Sequence, residues 1–192
     1  MERVEAVRIV GGEFGGRPLA APRSRAIRPT SDRTRESLFN ILAHSYPETV
    51  ARARVLELFA GTGAVALEAL SRGAAAAIFV EQSVEGRALI QSNIESLGLQ
   101  GRTKIFRRDA TALGQCQRMQ PFTFVFADPP YGKGLGEKAL ASALAGGWVT
   151  PGALVLLEER SDVLPQPDRS LNLLESRVFG ETSIHFYRHE PD

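Results

Sequence analysis

Cysteine is nearly absent from this 192-residue chain, and the single Cys116 excludes both an internal disulfide and a thiolate metal cluster. Histidine is almost as scarce. His44, His185 and His189 stand in separate contexts without ligand spacing, so no metal is expected. No run of about 18 uninterrupted apolar residues occurs, which argues against a membrane span. The opening MERVEAVRIV lacks the basic-then-apolar order of a secretory signal. There is no internal repeat or low-complexity tract. The length suffices for one α/β domain with its core and falls short of two. These absences lead to the expectation of a cytoplasmic enzyme, monomeric by default, with no membrane attachment.

Lysine is the other rarity, three against twenty arginines, and the net charge of +1 hides how the arginines are distributed. Residues 1–35 carry eight arginines against four acids, leaving the rest of the chain mildly acidic. A basic arm on an acidic body is an electrostatic footprint for a polyanion. An arginine-rich genome would give the same surplus of Arg over Lys.

The first thirty residues read as an extension, 1–30, ahead of a catalytic domain, 31–192. VRIVGG and GRPLA flank a glycine-rich turn and predict a β-hairpin. Thr30 or Ser31 can cap a helix whose apolar face is Leu38, Phe39, Ile41 and Leu42. From Arg54 onward strands alternate with helices. Strands are predicted at 54–59, 76–81, 103–107, 122–127 and 153–158, and helices near 64–72, 84–97 and 136–145. The strands are almost continuously apolar, as in a parallel sheet covered on both faces. Two further strands, about 171–178 and 182–188, meet at Gly180 as an antiparallel hairpin.

The first of these strands ends in LELFAGTGAVALEAL. Glycine at a strand-to-helix turn brings backbone N–H groups close to a ligand. A dinucleotide fingerprint would carry G-x-G-x-x-G, but Gly61 and Gly63 have no third partner. Glu57 sits in the strand before them. A carboxylate there repels a pyrophosphate and suits a cation, such as the amino group and sulfonium of S-adenosylmethionine. Glu81 ends the second strand and can accept hydrogen bonds from both hydroxyls of a ribose. Asp109, after the third, is placed to meet an adenine amine. Each acid alone could be a solvated strand end, but together they follow the edge where open α/β sheets bind ligands.

The fourth strand ends in Asp128-Pro129-Pro130-Tyr131. Two prolines stiffen the backbone just beyond the sheet. An exocyclic amine on a base is a poor nucleophile, because its lone pair is delocalised into the ring. Asp128 and the Pro129 carbonyl can accept both of its N–H bonds, and Asp128 can take up the proton released on methylation. Tyr131 offers a face for base stacking, worth roughly 1–3 kcal/mol. Positioning of this kind supplies about 7–11 kcal/mol of a barrier. A base in a duplex would have to flip out to reach such a pocket.

These residues together resemble the bacterial family of 16S ribosomal RNA guanine-N2 methyltransferases, over about residues 8–188. The segments that carry the resemblance are RIVGG with GRPL, RPTSDRTRESLFNIL, LELFAGTGAVALEALSRGA and DPPY. The second is not shared by methyltransferases at large. The resemblance implies a Rossmann-like methyltransferase fold, with a mainly parallel seven-stranded sheet and a C-terminal antiparallel hairpin, preceded by an N-terminal β-hairpin that helps hold RNA. It implies S-adenosylmethionine as donor and N2 of one guanine in the small ribosomal subunit as acceptor. Cofactor contacts would fall on Thr30, Asp32, Arg35, Glu57, Phe59, Gly61, Gly63, Glu81, Asp109 and Ala110. The guanine would fall to Asp128, Pro129, Pro130 and Tyr131, and RNA phosphates to Arg8, Arg17 and Arg28. Glu57 stands where the family commonly has Asp, and Ile41 where it commonly has an aromatic.

Three rival readings follow from the same residues. An amine methyltransferase acting on adenine N6 of DNA or another RNA would use the same tetrapeptide, whereas Asp at 128 and RPTSDR argue against a glutamine amide. A nicotinamide oxidoreductase fits poorly with the missing glycine. An RNA-binding module without catalysis is disfavoured because every expected polar site residue is present.

Overall fold

The computed structural model describes residues 7–22 and 31–191. The elements run α1 (Asp32–Ser45), β1 (Arg54–Leu58), α2 (Ala64–Ser71), β2 (Ala76–Val80), α3 (Val84–Leu97), β3 (Thr103–Phe106), β4 (Phe122–Ala127), α4 (Leu135–Ala145), β5 (Val149–Arg160), β6 (Leu171–Phe179) and β7 (Thr182–His189). Single 3-10 turns lie at Gln100–Arg102 and Ala110–Ala112. Ser31 caps α1, its hydroxyl accepting the Thr34 N–H at 3.1 Å. Thr30, the other expected cap, lies outside the described residues.

One seven-stranded sheet has the order β3-β2-β1-β4-β5-β7-β6, and only β7 runs against the rest. This is the Rossmann-like methyltransferase arrangement that the resemblance implies. The chain steps outward from β1 to β3, then returns to lay β4 against the other side of β1. That reversal is the switch point at which an open α/β sheet leaves a crevice beyond its strand ends.

Alternation along the strands divides the core. Val55, Phe79, Phe124, Phe126, Leu154, Leu156 and Phe186 pack with α1, α2 and α3 on one face. Leu56, Ile78, Val125, Val155, Leu157 and Tyr187 pack with α4 and the buried Trp148 on the other.

β5 departs from the sequence expectation. It begins at Val149 rather than 153 and runs through Thr150-Pro151-Gly152; a register shift against β4 between Phe122 and Phe124 absorbs them. The N-terminal hairpin forms as expected, though short: its arms are joined by the Ile9 N–H to the Arg17 carbonyl at 2.9 Å, the Gly16 N–H to the Ile9 carbonyl at 2.8 Å and the Leu19 N–H to the Val7 carbonyl at 2.7 Å, around an antiparallel bridge of Arg8 with Pro18. Pro18 has no N–H to extend the ladder, and α2 holds the segment as well. Glu68 accepts the N–H groups of Val10 at 2.7 Å and Gly11 at 2.8 Å, and Ser71 accepts the N–H of Phe14 at 2.9 Å. Asn93 of α3 accepts the N–H of Ala20 at 2.7 Å. Val7, Ile9 and Leu19 enter the core beneath. Covered by the sheet and by this segment, every residue of α2 is buried, including Glu68. Gly12 lies so close to α2, at φ 78°, that a Cβ would meet the Ser71 carbonyl oxygen at 2.1 Å.

Candidate functional site

A cavity of about 970 Å³ opens at the C-terminal ends of β1 to β5. The wall on the side of β1 and β2 is built by the glycine turn. Phe59 leaves β1 in the left-handed region at φ 56°, a conformation that costs about 1–3 kcal/mol in a non-glycine residue and clusters at ligand sites. The turn closes with the Gly63 N–H donating to the Ala60 carbonyl at 2.7 Å. Gly63, at φ 74°, starts α2 against the Phe79 ring, which a Cβ would meet at 2.8 Å. This glycine serves close helix–sheet approach, and among the expected contacts from Glu57 to Ala110 it alone does not line the cavity.

The three strand-end acids all line it. Glu57 is buried under the first turn of α2, accepting the N–H of Ala66 at 2.9 Å. Burial pushes its carboxyl up to about 8, against the pull of the Ala66 and Val65 N–H groups and of the Arg35 guanidinium. Glu81 bridges two backbone donors, Gly61 at 2.7 Å and Ser83 at 2.7 Å, and so ties the end of β2 to the glycine turn. Asp109 caps the 3-10 turn, accepting the N–H and hydroxyl of Thr111 at 2.8 and 2.7 Å. Those two bonds hold its carboxyl below the usual range. Phe59, Gly61 and Ala110 complete the expected wall.

Asp128 to Tyr131 lie across the cavity at the end of β4, where the Asp128 N–H reaches the Leu58 carbonyl at 3.4 Å. The neighbouring strand end holds this loop. The Tyr131 hydroxyl lies 3.0 Å from Asp128 Oδ1 and 2.9 Å from Glu158 Oε1, and the Gly132 N–H donates to Glu159 at 2.9 Å. Burial first, and then the two carboxylates, push the Tyr131 phenol far above its ordinary range, so the hydroxyl keeps its proton and donates.

Asp32 and Arg35 do not line the cavity. Asp32 accepts from the backbone N–H and the guanidinium of Arg8, at 3.3 and 3.2 Å, and from Arg35 at 2.6 Å. Arg35 is wholly buried and also donates to the Arg8 carbonyl. The pair clamps the N-terminal hairpin to α1, with Arg35 near enough to Glu57 to act on it electrostatically. Arg8 and Arg17 are exposed, and Arg17 donates to the Ser96 carbonyl. Thr30 and Arg28 lie outside the described residues.

The sequence reading missed Ser31, Thr34, Glu158 and the β6–β7 turn at 179–182 as cavity residues. Glu158 was within reach: it ends the apolar run ALVLLE, as Glu81 ends AIFVE. The turn was not, because only tertiary packing brings it there.

The donor set discriminates between ligands. Among the described residues, seven carboxylates and a single arginine, Arg108, line the cavity. An anionic wall of this kind rejects a pyrophosphate and accepts a cation carrying hydroxyls and an amine, so it fits S-adenosylmethionine and not a nicotinamide dinucleotide. Among the described residues no group of three or more His, Cys, Asp or Glu could hold a metal ion, and no helix is long and apolar enough to cross a membrane.

A family model described as Conserved hypothetical protein 95 matches residues 7–188. The chain is 36% identical over 187 residues to ribosomal RNA small subunit methyltransferase D of Escherichia coli, covering 96% of this chain and 90% of that protein. The protein of the same name from Haemophilus influenzae is 31% identical over 184 residues, covering 95% and 93%. Among solved structures, the Escherichia coli protein yhhF matches with a TM-score of 0.83 and 32% identity over 97% of this chain and 99% of that one. A hypothetical protein of Thermus thermophilus matches at 0.70 and 34% over 94% and 98%.

Proposed function

Because this chain belongs to the Conserved hypothetical protein 95 family, whose named members methylate small-subunit ribosomal RNA, we propose that it methylates the exocyclic N2 of one guanine in 16S rRNA of the small ribosomal subunit, with S-adenosylmethionine as donor. The observation that carries this reading is the meeting, in one cavity, of three strand-end acids with Asp128-Pro129-Pro130-Tyr131.

S-adenosylmethionine brings an electrophilic methyl group on a cationic sulfur. Glu57 supplies negative charge beside that cation, Glu81 accepts from the ribose hydroxyls and Asp109 from the adenine amine. Glu81 has lone pairs to spare for this, since each carboxylate oxygen accepts more than the one backbone bond it holds. Facing them, Asp128 and the Pro129 carbonyl hold the two N2 hydrogens and aim the nitrogen lone pair at the methyl carbon. The N–C bond would form as the S–CH3 bond breaks, with the neutral thioether S-adenosylhomocysteine leaving; the amine would then carry the positive charge, and Asp128 would stabilise it and take up its proton. Tyr131 is braced by Asp128 and Glu158, which keeps its ring rigid for the base to rest on. Arg8, Arg17 and Arg28 serve the phosphates, with the hairpin seated on α2 as their platform.

The test is a labelled-methyl transfer assay on small subunits, and separately on DNA, from a strain lacking its own copy of the enzyme, with the product nucleoside identified by mass spectrometry. N2-methylguanosine at one site supports the reading. Label in DNA adenine, or N6-methyladenosine in RNA, overturns the guanine assignment.

A further inference from the structure

We propose that Glu158 reads the Watson–Crick edge of the target base, accepting the N1–H of guanine while Asp128 holds the adjacent exocyclic amine. This rests on the guanine-N2 reading above and adds to it the group that tells guanine from other aminopurines.

The two acids are neighbours by topology. β4 and β5 are parallel and in register at Ala127 and Leu157, so Asp128 and Glu158 are the next residues on adjacent strands. Both line the cavity. Glu158 is only 5% exposed, so its remaining surface is the cavity side of a buried acid. The Tyr131 hydroxyl lies within 3.0 Å of an oxygen of each. A phenol has one proton to donate, whereas each carboxylate oxygen accepts more than one bond. The pair, gathered around one hydroxyl, therefore offers acceptor capacity to a ligand with adjacent donors.

Guanine has that pattern on one edge, a ring N1–H beside the exocyclic N2 amine. Adenine and 2,6-diaminopurine carry a bare nitrogen lone pair at N1. Set against a carboxylate, that lone pair is repelled, and the acid gains no donor from the base. A site built to bond a substrate N–H rejects the analogue lacking it far more strongly than an apolar pocket rejects a change of size. The exclusion of wrong bases is thus as much repulsion as attraction. Flipped-out bases are commonly read by bonds to this same edge.

The β6–β7 turn closes the cavity beside Glu158. Thr182 pairs with Arg160, two residues beyond the acid, and Phe179 to Thr182 line the wall there.

The test compares two acceptors, small subunits reconstituted with 16S RNA bearing either guanine or 2,6-diaminopurine at the methylated position. Both carry the N2 amine and differ at N1–H and at the 6 position. Wild-type enzyme is expected to prefer guanine by about 100-fold or more in kcat/KM. Glu158→Gln replaces an obligate acceptor with an amide that can also donate to a bare N1. It is expected to lower the guanine rate, raise the diaminopurine rate, and shrink the ratio by at least about tenfold. A residue that only packs the loop would slow both acceptors together, so an unchanged ratio would overturn the proposal. Equal wild-type rates on the two acceptors would overturn it without any variant, which covers the case of a variant that does not fold. Methylation of neither acceptor would overturn the guanine-N2 reading itself along with this one.

Discussion

The carboxylate of Glu57 accepts the backbone N–H of Ala66 at 2.9 Å, which fixes a buried acid at the start of α2 and against the cavity wall. Burial raises it to about 8 from an ordinary value of 4.5. Between those values the folded protein keeps a proton that the unfolded chain has lost, so this group lowers folding stability as pH rises through the window and has no further effect above it. A cationic ligand has the opposite preference, because it favours the ionised acid. Affinity for S-adenosylmethionine is therefore expected to strengthen from about pH 6 to about 8 and then level off, with proton release on binding. Calorimetry in buffers of different ionisation enthalpy measures both. In Glu57→Gln the pH slope and the proton release should disappear, and the stability decline between about pH 5 and 8 should flatten. A pH-independent wild-type affinity would remove Glu57 from the cation site.

The features read correctly from sequence share a physical cause. LELFAGTGAVALEAL and DPPY act locally: a buried strand, a turn only certain residues permit, and an acid placed by chain direction alone. Strand-end acids are legible for the same reason, since a parallel sheet puts all such ends on one edge. What was hidden depends on partners distant in sequence. Glu68 sits in ALEALS, where helical periodicity gives no reason for a buried acid; the hairpin fifty-seven and fifty-eight residues upstream supplies it. Pro151-Gly152 favours a turn locally and has no ladder partner; β5 runs through it because Val149 pairs with Phe122 before it and Leu154 pairs with Phe124 and Arg188 after it. Asp32 and Arg35 carry the signature segment yet serve the hairpin rather than the cavity wall, because Arg8 is folded onto them.

Glu68 should be the principal anchor of the N-terminal segment. It is wholly buried, and besides the N–H groups of Val10 and Gly11 it accepts from the Arg72 guanidinium at 2.8 Å. Glu68→Ala leaves those donors unpaired. The expected cost is about 3–5 kcal/mol, the range for breaking a buried pair from one side. Urea unfolding measures it, and hydrogen exchange should show protection lost at Val10 and Gly11 first. A variant with unchanged midpoint and protection would mean that apolar packing of Val7, Ile9 and Leu19 holds the segment alone.

Neutralising Arg8 and Arg17 together should weaken RNA binding and flatten its dependence on salt. Every arginine that stops pairing with a phosphate takes roughly one counterion-release equivalent from the slope of log affinity against log salt. Arg8→Gln also loosens the ion pair with Asp32, so Asp32→Asn serves as the control for hairpin seating. An unchanged salt slope in the double variant would exclude these two arginines from the phosphate-binding surface.

The central claim is that Asp128 acts on the amine and not on the cofactor. The most direct measurement pairs single-turnover methyl transfer with S-adenosylmethionine binding for Asp128→Ala. The account predicts transfer lowered by at least about 10²–10³-fold, the scale for losing a positioned group that holds and deprotonates the nucleophile, with cofactor Kd within about threefold of wild type. Transfer at the wild-type rate would contradict it, and so would a loss of transfer fully accounted for by a matching loss of cofactor affinity.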